Sequence, residues 1–293
     1  NLQPIVGNTS LMKEHTNDYS EVFESELGKL NQNQKLAVDS IEGPVMVIAG
    51  PGTGKTQILA LRIGNIIINS GIEAKNILCL TYTEAGATAM RKRLADFFGG
   101  IAYDVSIYTF HGFCNKIIKD NPNSFELYGE HDLVSSLELN QIIHEILQGL
   151  SPSDALYNYH GNYTELNKNL ITFFHDIKSE SWHTKDIIEA IELDINNLKL
   201  DPNYYYKRKS GIYNKGDFKE SAFNEQVDKF ERTKSALKLY ELFQNAMIKN
   251  NRYDYDDLIQ WVIKKFINDD SFLGKYQELY QYILIDEYQD TNG

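Results

Sequence analysis

The chain has 293 residues, of which 42% are hydrophobic and 24% charged, and its formal net charge is −12 at pH 7. That is enough material for one large or two modest domains with a real core. The acidic balance argues against indiscriminate coating of polyanions, although a local groove matters more than the sum. Cys79 and Cys114 offer no disulfide framework. No apolar run approaches a membrane span, and the N-terminal residues lack a secretory pattern, so a cytoplasmic protein with no membrane association is expected. The sequence does not open on Met, and both ends read as cuts in a longer chain.

Residues 1–28 carry few apolar residues and no sustained period, and read as an N-terminal extension. A strand–helix rhythm follows. Residues 44–49 (PVMVIA) form a fully apolar run expected to be a strand, and a helix is expected from about Lys55 with Ile58, Leu59, Leu61, Ile63, Ile66 and Ile67 on its buried stripe. Residues 76–82 predict a second strand and 84–98 a helix. Residues 105–109 predict a third strand, leading into a helix that ends near Asn121-Pro122. Strands alternating with helices imply a parallel sheet covered on both faces.

From 122 to 250 the rhythm breaks into amphipathic helical stretches at 132–149, 164–178, 184–194 and 225–249. It resumes only at 281–285. The expected fold is therefore an α/β domain over 29–121 and 251–293, interrupted by a mainly helical insertion over 122–250.

Two motifs carry chemistry. Residues 49–56 (AGPGTGKT) lie between a strand and a helix. Gly50, Gly52 and Gly54 let the backbone of Ala49, Pro51 and Thr53 fold into a nest of N–H groups, and the helix N-terminus adds partial positive charge at the same point. Lys55 is expected on the β- and γ-phosphates and the Thr56 hydroxyl on Mg²⁺, with Gln57 beside them. The other half of such a site is a carboxylate at a strand tip. Ile283-Leu284-Ile285 runs into Asp286, expected to hold Mg²⁺, and Glu287, expected to orient and deprotonate the attacking water. These residues predict ATP hydrolysis with ATP and Mg²⁺ as cofactors.

Together the motifs resemble those of the UvrD/Rep-type superfamily 1A DNA helicases, from Leu30 to the end of the chain. LNQNQ (30–34) resembles the family's adenine-reading motif, with Gln34 at the base edge, and Arg62 matches a basic position of its nucleotide site. TYTEAGATAM (81–90) resembles a DNA-contacting motif through Thr81, Tyr82 and Thr83, but has Glu84-Ala85 where the family usually has Asn-Lys. TFHGFC (109–114) resembles the segment in which Thr109, Phe110 and His111 link DNA to the ATP site. YDYDDL (253–258) resembles a further family element, and DEYQDTN (286–292) matches the family's Walker B motif, with Gln289 and Asp290 as coupling residues.

The resemblance implies a RecA-like P-loop NTPase sheet in a three-layer αβα arrangement, with the insertion as subdomain 1B. It implies 3′ to 5′ movement on single-stranded DNA or at a single-strand/duplex junction. The family's second RecA-like domain and the domain inserted in it (2A and 2B) lie outside this chain. The 293 residues are accordingly expected to bind Mg-nucleotide weakly and not to unwind DNA. A helicase–nuclease parent and a P-loop module that binds ATP without moving remain open.

Three local features have competing readings. Tyr82 is either a stacking platform for a base or a strand-end aromatic packed into the core. His111 beside Cys114 supplies only two ligands, too few for a zinc site. Residues 202–219 interleave Tyr204, Tyr205, Tyr206 and Tyr213 with Lys207, Arg208, Lys209, Lys215 and Lys219. This island either contacts DNA, chiefly through Lys207, Arg208 and Lys209, or is a mobile surface loop.

Overall fold

The computed structural model describes residues 21–125, 130–157 and 163–291. The described chain separates into two units, residues 21–120 with 262–291 and residues 121–261. Among the described residues no helix is long and apolar enough to cross a membrane.

The first unit is organised around three parallel strands, β1 (Ile77–Thr81), β2 (Ser106–Thr109) and β3 (Tyr282–Ile285), with β1 in the centre. Cys79 pairs with Ile107 on one side and Leu284 on the other, so these three share a face. Against that face pack α2 (Lys55–Asn69) and α3 (Glu84–Phe98), through residues such as Leu61, Ile63, Met90 and Leu94. On β1 and β2 the alternate residues Leu78, Leu80 and Tyr108 point the other way. There Phe113 of α4 (Phe110–Asp120) meets Tyr108, Tyr276 and Tyr280 with ring centroids 5.7–6.4 Å apart. The expected parallel α/β fold is present, with both faces covered at β1 and β2 but not at β3.

The helical residues 21–28 belong to this core and are no loose extension: Phe23 is buried and packs edge-on or tilted against Phe97 and Phe98. Residues 1–20 lie outside the described residues. Gly64 is what lets α2 come this close, because a Cβ there would stand 2.5 Å from the Phe98 ring and 2.6 Å from the Phe23 ring.

The strand expected at 44–49 does not form. Ile48 is 93% exposed, and β3 is left as a sheet edge whose Ile283 is 59% exposed. A strand is stabilised by its ladder and by cover on its apolar faces. Both faces of this run are apolar, and it faces the open β3 edge across a cavity without pairing to it or gaining cover there.

The second unit is mainly helical, as expected, with α5 (Ser136–Gln148), α6 (Tyr163–Ser179), α7 (Thr184–Leu198), α8 (Glu220–Lys249) and the start of α9 (Tyr255–Asn268). Its core gathers Ile143, Leu147, Leu170, Phe174, Phe243 and Met247, with Phe174 stacked on Phe243 at 5.1 Å. The stretch expected to be helical from 132 opens instead with a two-residue parallel ladder, Asp132–Leu133 on Arg252–Tyr253. The helix begins only after Ser135, whose side chain and that of Glu138 form a reciprocal capping box. Residues 251–261 group with this unit, and α9 carries the chain back to the first.

At the N-terminus of α9, Asp254 and Asp257 each accept the other's backbone N–H, at 3.0 and 2.9 Å. Their remaining oxygens hold the ammonium of buried Lys178 at 2.6 and 2.7 Å. Burial works against these charges: it raises Asp257 and pulls down Lys178, whose two carboxylate partners nonetheless hold it above its ordinary value.

Candidate functional site

Parallel strands deliver all their C-terminal ends to one edge, and that edge carries the candidate chemistry. β1 ends at Thr81, paired with Thr109 at the end of β2, and β3 ends at Ile285, just before Asp286. Asp286 is held there by its own N–H, which donates to the Leu80 carbonyl at 2.8 Å.

The glycine loop is closed by Thr53, whose hydroxyl donates to the Gly50 carbonyl at 2.8 Å. Gly52 and Gly54 take φ of 73° and 84°, in the left-handed region that favours glycine. Gly54 is the N-cap of α2 and supplies no side-chain cap. The first N–H groups of the helix are thus left for an anion, with Lys55 and Thr56 on the first turn.

Lys55 reaches across to Glu287, with Nζ 3.3 Å from Oε2. Glu287 has a left-handed backbone, φ 51° and ψ 47°, a conformation a residue with a Cβ keeps only when its surroundings hold it. Gln289 donates to the same carboxylate, and its amide also lies 3.3 Å from Asp290. Those bonds from Gln289 and Lys55 hold Glu287 below the usual carboxylate range. Asp286 moves the other way: burial raises it first, and the Glu287 charge adds to the shift. A half-buried carboxylate with a like charge beside it suits a hard cation. The Lys55–Glu287 pair opens on a cavity of about 870 Å³ running along the β3 edge.

Three residues expected at the nucleotide make bonds within the protein. Gln34 closes a capping box on α1 (Gln32–Asp39), its Oε1 accepting from the Asn31 N–H at 3.0 Å, and its Nε2 donates to the Thr53 carbonyl at 3.1 Å. The amide therefore ties α1 to the glycine loop. Gln57 donates to Glu26 at 2.7 Å. Arg62 lines the cavity, but its donors go to the carbonyls of Ala37 (2.7 Å), Ser40 and Ile41 (3.3 Å). A cation there complements the C-terminal end of α1.

On the same edge Tyr82 is 60% exposed, which removes the core-packing reading. Thr83 caps α3 by accepting from the Gly86 N–H at 3.0 Å, and the Thr81 hydroxyl donates to the Thr83 carbonyl at 3.0 Å. The Thr109 hydroxyl donates to Glu84 at 2.9 Å while accepting from the Gly112 N–H at 3.0 Å. Glu84, where the sequence departs from the family pattern, thus joins the two loops that end β1 and β2. Phe110 and His111 open α4 beside them. Burial pushes the Cys114 thiol up to about 12, which disfavours it further as a metal ligand.

The basic island lies in the other unit and is folded. Tyr205 bridges Phe218, Ser210 bridges Tyr213, and Tyr206 stacks on Tyr213 at 4.6 Å. Lys207 leans on the Asn203 side chain at 3.3 Å. Sequence reasoning missed Lys178. The available signal was a lysine following the apolar stripe of Leu166, Leu170, Phe174 and Ile177, in a chain whose YDYDDL motif needs a cation.

The family model described as the UvrD/REP helicase N-terminal domain matches residues 30–293. A probable DNA helicase II homolog of Mycoplasma capricolum is 29% identical over 267 residues, covering 91% of this chain and 31% of that protein. The ATP-dependent DNA helicase PcrA of Bacillus subtilis is 28% identical, over 91% of this chain and 30% of its own length. DNA helicase II of Rickettsia typhi is 30% identical, over 90% and 33%. The chain spans about a third of the length of the curated relatives it matches.

Proposed function

Because the chain belongs to the UvrD/REP helicase N-terminal domain family, we propose that it is the ATP- and DNA-binding portion of an ATP-dependent 3′ to 5′ DNA helicase. The observation that carries this reading is the 3.3 Å approach of Lys55 to Glu287, which joins a glycine loop and a strand-tip carboxylate from opposite ends of the sequence.

The backbone N–H groups of residues 50–54 and the start of α2 bind the phosphates, and Lys55 leaves Glu287 for the β- and γ-phosphate oxygens. Thr56 and Asp286 would hold Mg²⁺, which would supply charge neutralisation at the phosphates. Glu287, freed from Lys55 and steadied by Gln289, accepts a proton from the attacking water. Gln289 and Asp290 sit one turn from that carboxylate and couple it to neighbouring parts of a longer chain. Gln34 and Arg62 act as positioning residues, one on the glycine loop and the other on α1. Single-stranded DNA, free or at a junction, runs along the edge formed by Thr81–Tyr82–Thr83 and Thr109–Phe110–His111. There Tyr82 offers a flat face to a base.

Stepping requires a second domain that closes over the nucleotide, so this chain alone binds Mg-nucleotide weakly, hydrolyses it poorly and does not unwind DNA. The test is ATP turnover, with and without single-stranded DNA, by a chain as long as its relatives, with Lys55→Ala as control. Stimulation by DNA that disappears in the control is the expected result. Nucleotide binding without turnover would favour a module that binds ATP without moving.

A further inference from the structure

Within an acidic chain, residues 202–219 carry Lys207, Arg208, Lys209, Lys215 and Lys219 against one carboxylate, Asp217. That carboxylate is occupied, accepting the Asn214 N–H at 2.6 Å to close the turn 214–217. The two bridges, Tyr205 with Phe218 and Ser210 with Tyr213, share one register and make a hairpin. It is tied further by the Tyr206 N–H on the Asp217 carbonyl (2.9 Å) and the Lys219 N–H on the Tyr204 carbonyl (2.7 Å). Gly211 at the tip takes φ 59°. At the base, Tyr205 and Phe218 pack with Phe223 of α8, and the Tyr205 hydroxyl donates to the Lys199 carbonyl at 2.8 Å.

The cations divide into two sets. Lys219 donates to the Asn203 carbonyl at 2.8 Å with its ammonium 5.6 Å from the Tyr206 ring centre, and Lys207 bonds the Asn203 side chain. Lys219 thus ties the base of the hairpin, while Lys207 is exposed and its ammonium rests on Asn203. Arg208, Lys209 and Lys215 are exposed and enter no ion pair among the described residues. Arg208 and Lys209 precede the tip, and Lys215 lies in the turn 214–217. The aromatic pair is also committed: Tyr206 and Tyr213 lie 9° from parallel on one another, and a ring stacked within the fold offers less face to a base.

We propose that this hairpin is a sequence-independent nucleic-acid contact in which Arg208, Lys209 and Lys215 bind backbone phosphates without base stacking. The proposal deepens the DNA-binding reading above and rests on it. It sets aside Lys207, whose ammonium already contacts Asn203, and adds Lys215. An anchored scaffold carrying unpaired cations loses less conformational freedom on binding than a mobile loop would, and each neutralised phosphate contributes about 0.7 to the salt slope on single strands.

The test compares the full chain with Arg208→Ala/Lys209→Ala/Lys215→Ala by fluorescence anisotropy on a mixed-sequence single strand and on an abasic strand of equal length, from 50 to 200 mM salt. Circular dichroism and binding of a fluorescent ATP analogue check that the variant is folded. The slope of log affinity against log salt is expected to fall by about 2 units, equally on both strands. An unchanged slope, with the wild type binding DNA, overturns the hairpin assignment and leaves the DNA-binding reading standing. A loss confined to the base-bearing strand overturns the phosphate assignment. Failure of the wild-type chain to bind either strand overturns both.

Discussion

Two lysines, one in each unit, show how the same side chain is used in opposite ways. Lys178 is 4% exposed and grips two carboxylates at 2.6 and 2.7 Å, each of which also accepts a backbone N–H. Lys55 is 31% exposed and has one ion-pair partner at 3.3 Å. A lysine with every bond made is a structural member. One left short of partners at a helix N-terminus can give up what it holds for a ligand. The lesson lies in how completely each charge is paired, because a buried charge without partners is expensive while a half-exposed one is not.

The comparison can be broken most forcefully at Lys178. Lys178→Met leaves Asp254 and Asp257 facing each other without a cation, and is expected to destabilise the helical unit by about 3–5 kcal/mol, measured by urea denaturation. Lys55→Met in the same assay should move stability by less than about 1 kcal/mol. Equal effects from the two would end the distinction.

The carboxylate that Lys55 touches comes next. In a chain as long as its relatives, Glu287→Gln should reduce ATP turnover about 100-fold or more while nucleotide affinity stays within about threefold. Turnover close to wild type would show that Glu287 is only a partner of Lys55. Lys55→Ala should weaken binding of a fluorescent ATP analogue by about 1.5–3 kcal/mol, roughly 10- to 100-fold in Kd. Retained affinity would mean that the glycine loop alone holds the phosphates.

The smallest effect sharpens the structural side. Bonds from the Ser135 backbone and hydroxyl, with Arg252 beyond them, hold Glu138 down to about 2. A depressed carboxylate adds stability above its unfolded value and loses it as pH falls through the folded one. The thermal midpoint of the helical unit should therefore decline between about pH 4.5 and 2, and Glu138→Gln should flatten that part of the curve. Identical curves for the two proteins would remove the cap from the account.

The glycine loop and the strand-tip carboxylate were legible because they rest on local rules. Gly52 and Gly54 occupy left-handed positions that favour glycine, and the apolar run Ile283–Ile285 marks the strand that ends at Asp286. What sequence reading misjudged depended on neighbours. Residues 44–49 have the composition of a strand, but composition states a preference for burial and cannot supply the adjoining ladder. Gln34, Gln57 and Arg62 are no such case: their donors reach the Thr53 carbonyl, Glu26 and the end of α1, which leaves their expected place at a nucleotide untouched. The basic island was readable as charge and aromaticity. Its hairpin, with Lys219 tied to the fold and Arg208, Lys209 and Lys215 outside any ion pair among the described residues, was not.

By itself the sequence determined the family, through the resemblance of its motifs, and the parallel α/β fold with its helical insertion, the glycine loop and the strand-tip carboxylate. The fold and these two motifs follow from backbone conformation and periodicity, which are short-range along the chain. Only the tertiary structure decided which charges are consumed and which remain available. That choice separates Lys178 from Lys55, and Lys207 from Arg208 and Lys209, because pairing depends on distances between residues far apart in sequence.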